Sequence, residues 1–273
     1  MEFVISPKEF QLFREYIYET AGIALSNKKV SLVQGRLSKR LRQLGFSTFE
    51  EYYEYILEDD SEVWRLIDAI STNVTSFFRE PAQWEYLKAH LQKIRQKNST
   101  KRLRIWSSAC SSGEEPYSIA IFLAENLPDF HEWDIKILAT DISVEILKKA
   151  QRGVYPIRAT ENLPSYLLVK YFVKKRNERD EIVHEISDSI KKLVTFRIFN
   201  LIYGDFSLFS NPFDLIFCRN VMIYFDSPSQ QALVSRFAKL LKSGDLLLVG
   251  HSEALTKNKE EFLLLQQSIY ERM

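Results

Sequence analysis

The sequence predicts an α/β fold: a doubly wound, mostly parallel sheet with a small antiparallel β insertion, preceded by an all-helical N-terminal domain. Three observations predict it. Up to about residue 70 apolar residues recur only at helix spacing; from about residue 100 short apolar runs alternate with helical stretches; and one charged segment, between Pro156 and Leu201, breaks that alternation.

The helical part is punctuated by Gly22, Gly45 and the acidic "EDDS" at 58 to 61, which divide it into four short helices. Their apolar sides carry Phe10, Phe13, Ile17 and Tyr18; then Val30, Val33, Leu37, Leu41 and Leu44; then Tyr52, Tyr55 and Ile56; then Val63, Leu66, Ile67 and Ile70. Residues 1–72 are therefore expected as one domain and 73–92 as a linker. Residues 93–273 follow as the sheet domain. Pro81 opens a fifth helix through Leu87, Leu91 and Ile94, ending in the polar "RQKNSTKR".

In the sheet domain "LRIWSS" leads to a helix from Pro116, "DIKILATD" to a helix over Val144 to Gln151, and "FDLIFCRN" to a helix over Gln230 to Leu241; "DLLLVG" closes the series. Apolar strands separated by helices indicate a parallel sheet covered on both faces. Within the interruption "YFVKK", "EIVHEI" and "LVTFRIF" read as three short strands of the antiparallel insertion, at about 165–200.

Bulk composition excludes several classes. Charged residues make up 27% of the 273 and hydrophobic ones 45%, as in ordinary globular proteins. No apolar run approaches the roughly 20 residues of a membrane span, and the N-terminus lacks a signal-peptide layout, so a cytoplasmic protein without membrane insertion is expected. Two cysteines, Cys110 and Cys218, and four scattered histidines support neither disulfides nor a zinc cluster; no metal site is expected. The net charge of +1 conceals an asymmetry: Asn27 to Leu44 holds six basic residues and no acid, and Glu50 to Glu62 holds seven acids and no base.

Ligands of doubly wound sheets bind at the carboxyl ends of the strands. There this chain has the turn "SSACSSGEE", Asp141, Asn200 with Leu201, and "CRN" at 218 to 220. A dinucleotide fold would show G-x-G-x-x-G and an acid about 20 residues on. This turn has one glycine, Gly113, and Asp141 comes 28 residues later. Glu114 and Glu115 would repel a pyrophosphate but suit a cation, and a carboxylate such as Asp141 can accept hydrogen bonds from two vicinal hydroxyls. S-adenosylmethionine (SAM) combines a ribose, an ammonium and a sulfonium without phosphate. Taken singly, the two glutamates could as well complement the dipole of the helix they precede and Asp141 in "TDIS" cap the next one; together the acids favour the cofactor.

The segments "STNVTSFFRE" (71–80), "SSACSSGEEPYSIA" (107–120), "ATDIS" (139–143), "FDLIFCRNVMIYF" (213–225) and "GHSE" (250–253) resemble the chemotaxis receptor methyltransferases of the CheR type, over nearly the whole chain. The resemblance implies a Rossmann-like SAM-methyltransferase sheet and an enzyme that methylates glutamate side chains on the cytoplasmic helices of methyl-accepting chemoreceptors, giving glutamyl methyl esters and S-adenosylhomocysteine (SAH). Cofactor positions carry over onto Asn73, Thr75, Arg79, Glu115, Asp141, Asn200, Leu201, Cys218, Arg219 and Asn220, with Glu114 the alternative to Glu115. Tyr224 matches a tyrosine beside the reacting methyl, and Arg79 and Tyr224 are expected to align the reactants.

The same resemblance turns the basic stretch, Lys28, Lys29, Arg36, Lys39, Arg40 and Arg42, toward the acidic methylation helices, and implies recruitment to membrane receptor arrays. Some relatives dock a receptor's C-terminal peptide on a glycine-rich loop of the insertion. Between Val154 and Tyr203 this chain has no glycine, so such a tether is not expected. A nucleic-acid methyltransferase would also favour a basic helix, yet "CRNVMIY" stands where amino-methylating DNA enzymes carry an N-P-P-Y-like turn, and neither cysteine follows a proline. A dehydrogenase is disfavoured by the missing phosphate loop. A non-enzymatic SAM-sensing module would not need the full motif set.

Overall fold

The structure, a computed structural model, describes residues 3–97, 100–255 and 257–273. Four helices fill the N-terminal part: α1 (Pro7–Ala21), α2 (Val30–Leu44), α3 (Phe49–Glu58) and α4 (Asp60–Ile70). Ser6 with Glu9 and Thr48 with Glu51 form capping boxes that fix the starts of α1 and α3, each worth about 1 kcal/mol. Gly22 and Gly45 end α1 and α2 in the left-handed conformation. The expected apolar faces meet, with Phe13, Ile17, Leu37, Leu41, Tyr52, Ile56, Leu66 and Ile67 in one buried cluster; Tyr18 does not join it, being exposed with its hydroxyl on Asp226.

After an irregular segment, α5 (Pro81–Lys97) lays Trp84, Leu87, Leu91 and Ile94 into the core of the sheet domain. Most of the expected linker is thus part of a core helix; the stretch between the last N-terminal helix and α5 is 71–80. The polar end expected for this helix runs across residues 98 and 99, outside the described residues.

The chain continues through β1 (Arg102–Ser107), α6 (Glu114–Asn126), β2 (Asp134–Asp141), α7 (Val144–Arg152), β3 (Val154–Pro156), α8 (Ile157–Thr160), α9 (Ser165–Tyr171), β4 (Phe172–Arg176), β5 (Ile182–Ile186), α10 (Asp188–Lys191) and β6 (Val194–Ile198). It ends with β7 (Phe213–Cys218), α11 (Ser227–Leu240), β8 (Leu241–Val249), β9 (Phe262–Gln266) and β10 (Ile269–Arg272). Seven strands form one sheet in the order β6-β2-β1-β7-β8-β10-β9, parallel from β6 to β8, with β10 antiparallel to both neighbours. The closing hairpin escaped the sequence reading: its turn, Gln267 and Ser268, has no glycine or asparagine, and Ser268 takes φ +62° instead.

The insertion is a three-stranded antiparallel sheet in the order β3-β5-β4. Two of its expected strands are there. The third, "LVTFRIF", is not: β6 runs parallel to β2 at the edge of the large sheet, with Ile137 opposite Val194, and β3 takes the vacant place. Half-buried alternation marks a strand without naming its partner.

Helical domain and sheet domain touch at the carboxyl end of the sheet. The end of α1 lies between two loops: Tyr203 Oη donates to Tyr18 O (2.9 Å), Asn200 Nδ2 to Thr20 O (3.1 Å), Ala24 N to Tyr224 O (2.8 Å), and Tyr18 Oη to Asp226 Oδ2 (2.7 Å). Gly22 packs so closely that a Cβ there would stand 2.5 Å from Ile202 Cγ1.

Candidate functional site

Strand order reverses between β1 and β7, with β2 and β6 on one side and β8 to β10 on the other. A cavity of about 360 Å³ opens there, a volume ordinary for a small-molecule site. Its walls come from both domains. Asn73, Thr75, Arg79, Glu115, Asp141, Asn200, Leu201, Arg219, Asn220 and Tyr224, all singled out from the sequence, line it, joined by Ala21, Ile23 to Ser26, Lys29 and Leu32 of the helical domain.

Asp141 ends β2 at the floor. Ser111 N donates to its Oδ2 (2.8 Å) and Ser143 N to its Oδ1 (3.0 Å), so both oxygens are oriented by backbone and keep lone pairs for a ligand. It does not cap α7; the Ser143 hydroxyl does, accepting from Ile146 N. Burial pushes the Asp141 carboxyl above its ordinary range, against the pull of those backbone N–H groups.

The adjacent glutamates separate. Glu115 faces the cavity, where Ser107 Oγ donates to its Oε1 (2.7 Å) and Arg219 Nη1 lies 3.4 Å from its Oε2. Burial raises its pKa, and Arg219 opposes that rise. Glu114 turns aside to accept from Ser112 Oγ (2.7 Å) and lines no part of the cavity. Gly113, at φ +95°, sets up this turn; a Cβ on it would stand 3.0 Å from Ala150 Cβ.

Arg219 is buried, with Nε 3.5 Å from Glu80 Oε2 and Nη2 donating to Arg79 O (2.5 Å). Its guanidinium therefore lies between Glu80 and Glu115 and ties the 71–80 segment to the strand ends. Arg79 is only half-buried, and Nη1 donates to Val74 O (2.9 Å), which bends the side chain back along its own segment at the cavity wall. Tyr224 closes the short helical turn Met222–Tyr224; its hydroxyl makes no hydrogen bond among the described residues.

Cys218 corrects the expectation. It ends β7 with its side chain in the apolar cluster that holds Met222 and Val249, fully buried and absent from the cavity wall, because alternation along the strand turns it to the covered face. Asn200 lines the cavity, but its side chain accepts from Ile202 N (2.8 Å) and Tyr203 N (3.1 Å), so it shapes the loop.

The basic stretch is also redistributed. Arg36 reaches the carbonyls that end α4, Ala69 (3.3 Å), Ile70 and Ser71 (3.0 Å), and donates to Thr72 Oγ1 (3.0 Å), anchoring the segment that leads to Asn73. Arg40 pairs with buried Glu62. Lys29 stands at the cavity itself. Lys28, Lys39 and Arg42 stay exposed, Arg42 over the Phe3 ring at 5.8 Å.

Phe78, Glu80, Ser111 and Asn220, all around the cavity, have positive φ without being glycine. Such residues cost about 1–3 kcal/mol each and persist where neighbours hold them. Ser118 Oγ accepts from Phe78 N (2.9 Å), and Asp141 and Glu253 do the same for Ser111 and Asn220. The sequence does not single out Glu80 and Glu253, whose buried carboxylates brace Arg219 and the loop after β7; the "FFRE" and "GHSE" motifs contained the signal. The donor set fits a cationic nucleoside: a doubly oriented carboxylate for vicinal hydroxyls, a second buried acid, and no glycine-lined phosphate cradle.

The comparisons agree with this site. The family model described as "CheR methyltransferase, all-alpha domain" matches residues 8–71, and "CheR methyltransferase, SAM binding domain" matches residues 73–270. The chain is 41% identical over 262 residues to the chemotaxis protein methyltransferase of Borreliella burgdorferi, covering 93% of this chain and 91% of the relative. It is 39% identical to chemotaxis protein methyltransferase 2 of Pseudomonas aeruginosa, with 98% and 94% covered, and 37% identical to the Escherichia coli enzyme, with 97% and 91% covered. With both family domains matched end to end and the cavity at their junction, the chain belongs to the CheR methyltransferase family.

Proposed function

We propose that the protein is a protein-glutamate O-methyltransferase, which transfers a methyl group from SAM to glutamate side chains on the cytoplasmic helices of methyl-accepting chemoreceptors, leaving glutamyl methyl esters and SAH. The observation that carries the reading is one cavity with two buried carboxylates, Asp141 and Glu115, on its floor and Arg79 and Tyr224 on its wall.

When bound, SAM supplies an electrophilic methyl on a positively charged sulfur. A substrate glutamate, with an ordinary pKa near 4.3, arrives already ionised, so the protein needs no general base. Asp141 binds the ribose hydroxyls and Glu115 the cationic end of the cofactor. Arg79 swings from Val74 O to offer a planar fork to a carboxylate, and the Tyr224 hydroxyl donates one hydrogen bond to fix its line of attack. Holding two reactants in line can be worth roughly 7 to 11 kcal/mol.

Lys28, Lys29, Lys39 and Arg42 make the face for the acidic receptor helices, which brings the enzyme to membrane receptor arrays, without the C-terminal peptide tether. No helix among the described residues is long and apolar enough to cross a membrane. The test is calorimetry with SAM and SAH, then incubation with a receptor cytoplasmic fragment and an assay for base-labile methyl groups. A SAM-binding protein that leaves the fragment unmethylated would refute the substrate assignment.

A further inference from the structure

We infer that Glu253 is a positioning residue: its carboxylate, outside the cavity, clamps the loop after β7 and thereby sets Asn220 and Tyr224 in the cavity wall. The inference rests on the reading of Tyr224 given above. Glu253 follows β8, the strand next to β7, and is 7% exposed. It does not line the cavity. Its Oε2 accepts from Asn220 N and from Gly250 N, both at 2.7 Å, and its Oε1 accepts from Ile223 N at 3.2 Å.

Each of those donors belongs to the path toward the site. Asn220 sits at φ +58°, in the left-handed region that asparagine enters more readily than other non-glycine residues, and its N–H there points at Glu253. Ile223 lies inside the short turn Met222–Tyr224, and Asn220, Ile223 and Tyr224 all border the cavity. Gly250 lets the two loops close on each other, since a Cβ there would stand 2.6 Å from both Asn220 Nδ2 and Glu253 Oε2. Three backbone donors converging on one buried carboxylate make a rigid joint, and a carboxylate is the side chain with acceptors on both oxygens and no donor.

That acceptor pattern gives a test. Glu253→Gln keeps one acceptor oxygen for Asn220 and Gly250 but turns an NH2 donor toward Ile223 N–H, so it loosens the Tyr224 side of the joint alone. Glu253→Ala loosens both. In the cofactor-free protein, hydrogen exchange at Ile223 and Tyr224 should rise about tenfold or more in the Gln variant. Its SAH affinity should stay within about threefold by calorimetry, while kcat with a receptor fragment falls about tenfold at unchanged KM. The Ala variant should lose about tenfold in SAH affinity as well.

Unchanged exchange at residues 220 to 224 with unchanged SAH affinity in both variants would overturn the clamp, as would a lowered melting temperature with kcat per folded molecule intact. If wild-type protein binds SAH but does not methylate the fragment, the substrate reading fails, and the exchange and SAH arms still decide the role of Glu253.

Discussion

Arg40 holds Glu62 by a two-point grip, Nε to Oε1 at 2.6 Å and Nη2 to Oε2 at 2.5 Å, and Tyr52 Oη adds a third bond to Oε1 at 2.9 Å. This ion pair joins α2 to the start of α4 inside the helical domain. Arg40 is therefore committed to the fold, and a basic residue counted toward a partner surface is working inward.

The pair predicts which charge reversals separate binding from stability. Arg40→Glu places a like charge against a carboxylate that is 1% exposed, and should cost about 3 kcal/mol and lower the melting temperature by several degrees. Lys39→Glu and Arg42→Glu should leave melting within about a degree while raising KM for a receptor fragment several-fold. Equal melting losses in all three variants would count against the division.

Asp141→Asn should weaken SAH binding by about tenfold or more, since it replaces a charged acceptor of ligand hydroxyls by a half-acceptor, half-donor amide. Calorimetry checks it, with circular dichroism to confirm that the fold persists. An affinity within twofold of wild type would remove Asp141 from the ribose site.

Arg79→Ala should reduce kcat about a hundredfold or more with little change in melting, because among the described residues this half-buried side chain donates to its own segment, at Val74 O, and ties no other element to the core. Methylation at the wild-type rate would leave Arg79 without a part in alignment.

Acidity should act through the cavity floor. Burial raises the pKa values of Asp141 and Glu115, and only their ionised forms attract a cation. SAM affinity should therefore decline on acidification, beginning at a higher pH than an exposed carboxylate would set. For the cofactor-free protein the sign reverses. Between the ordinary carboxylate pKa and the raised one the folded state holds more protons than the unfolded chain, so stability falls as pH rises through that window. Denaturant melts and SAM titrations across about pH 4 to 8 measure both slopes.

Gly22→Ala should weaken SAH binding and lower stability together. It strains a residue at φ +73° and drives a methyl into Ile202, a cost of about 1–3 kcal/mol. Adding Ile202→Ala should restore part of the loss. No restoration would mean that backbone strain alone is responsible.

Much of this was legible in the residues. Helix periodicity located α1 to α4 because each buries one continuous stripe, and the polar ends of β1, β2 and β7 marked the site because an apolar strand that stops at a carboxylate or an amide has reached a surface with work to do. What was lost was long-range. Glu114 and Glu115 share a helix start; the resemblance favoured the second, but the physical reason, Ser107 on β1 and Arg219 after β7 meeting its carboxylate, lies far along the chain. The alternation in 194–198 shows a strand but not the neighbour it finds. The resemblance carried Cys218 to the cofactor site together with Arg219 and Asn220, yet one step along a strand exchanges cavity for core. The inward use of Arg36 and Arg40 depends on α4, which lies more than twenty residues further along the chain.

Because Ala21, Ile23 to Ser26, Lys29 and Leu32 supply one side of the cavity, the helical domain cannot act as a detachable address label. Any shift of those helices reshapes the pocket in the same movement. Any descendant that exchanged this domain for another would have to reinvent its grip on the methyl donor along with its choice of target.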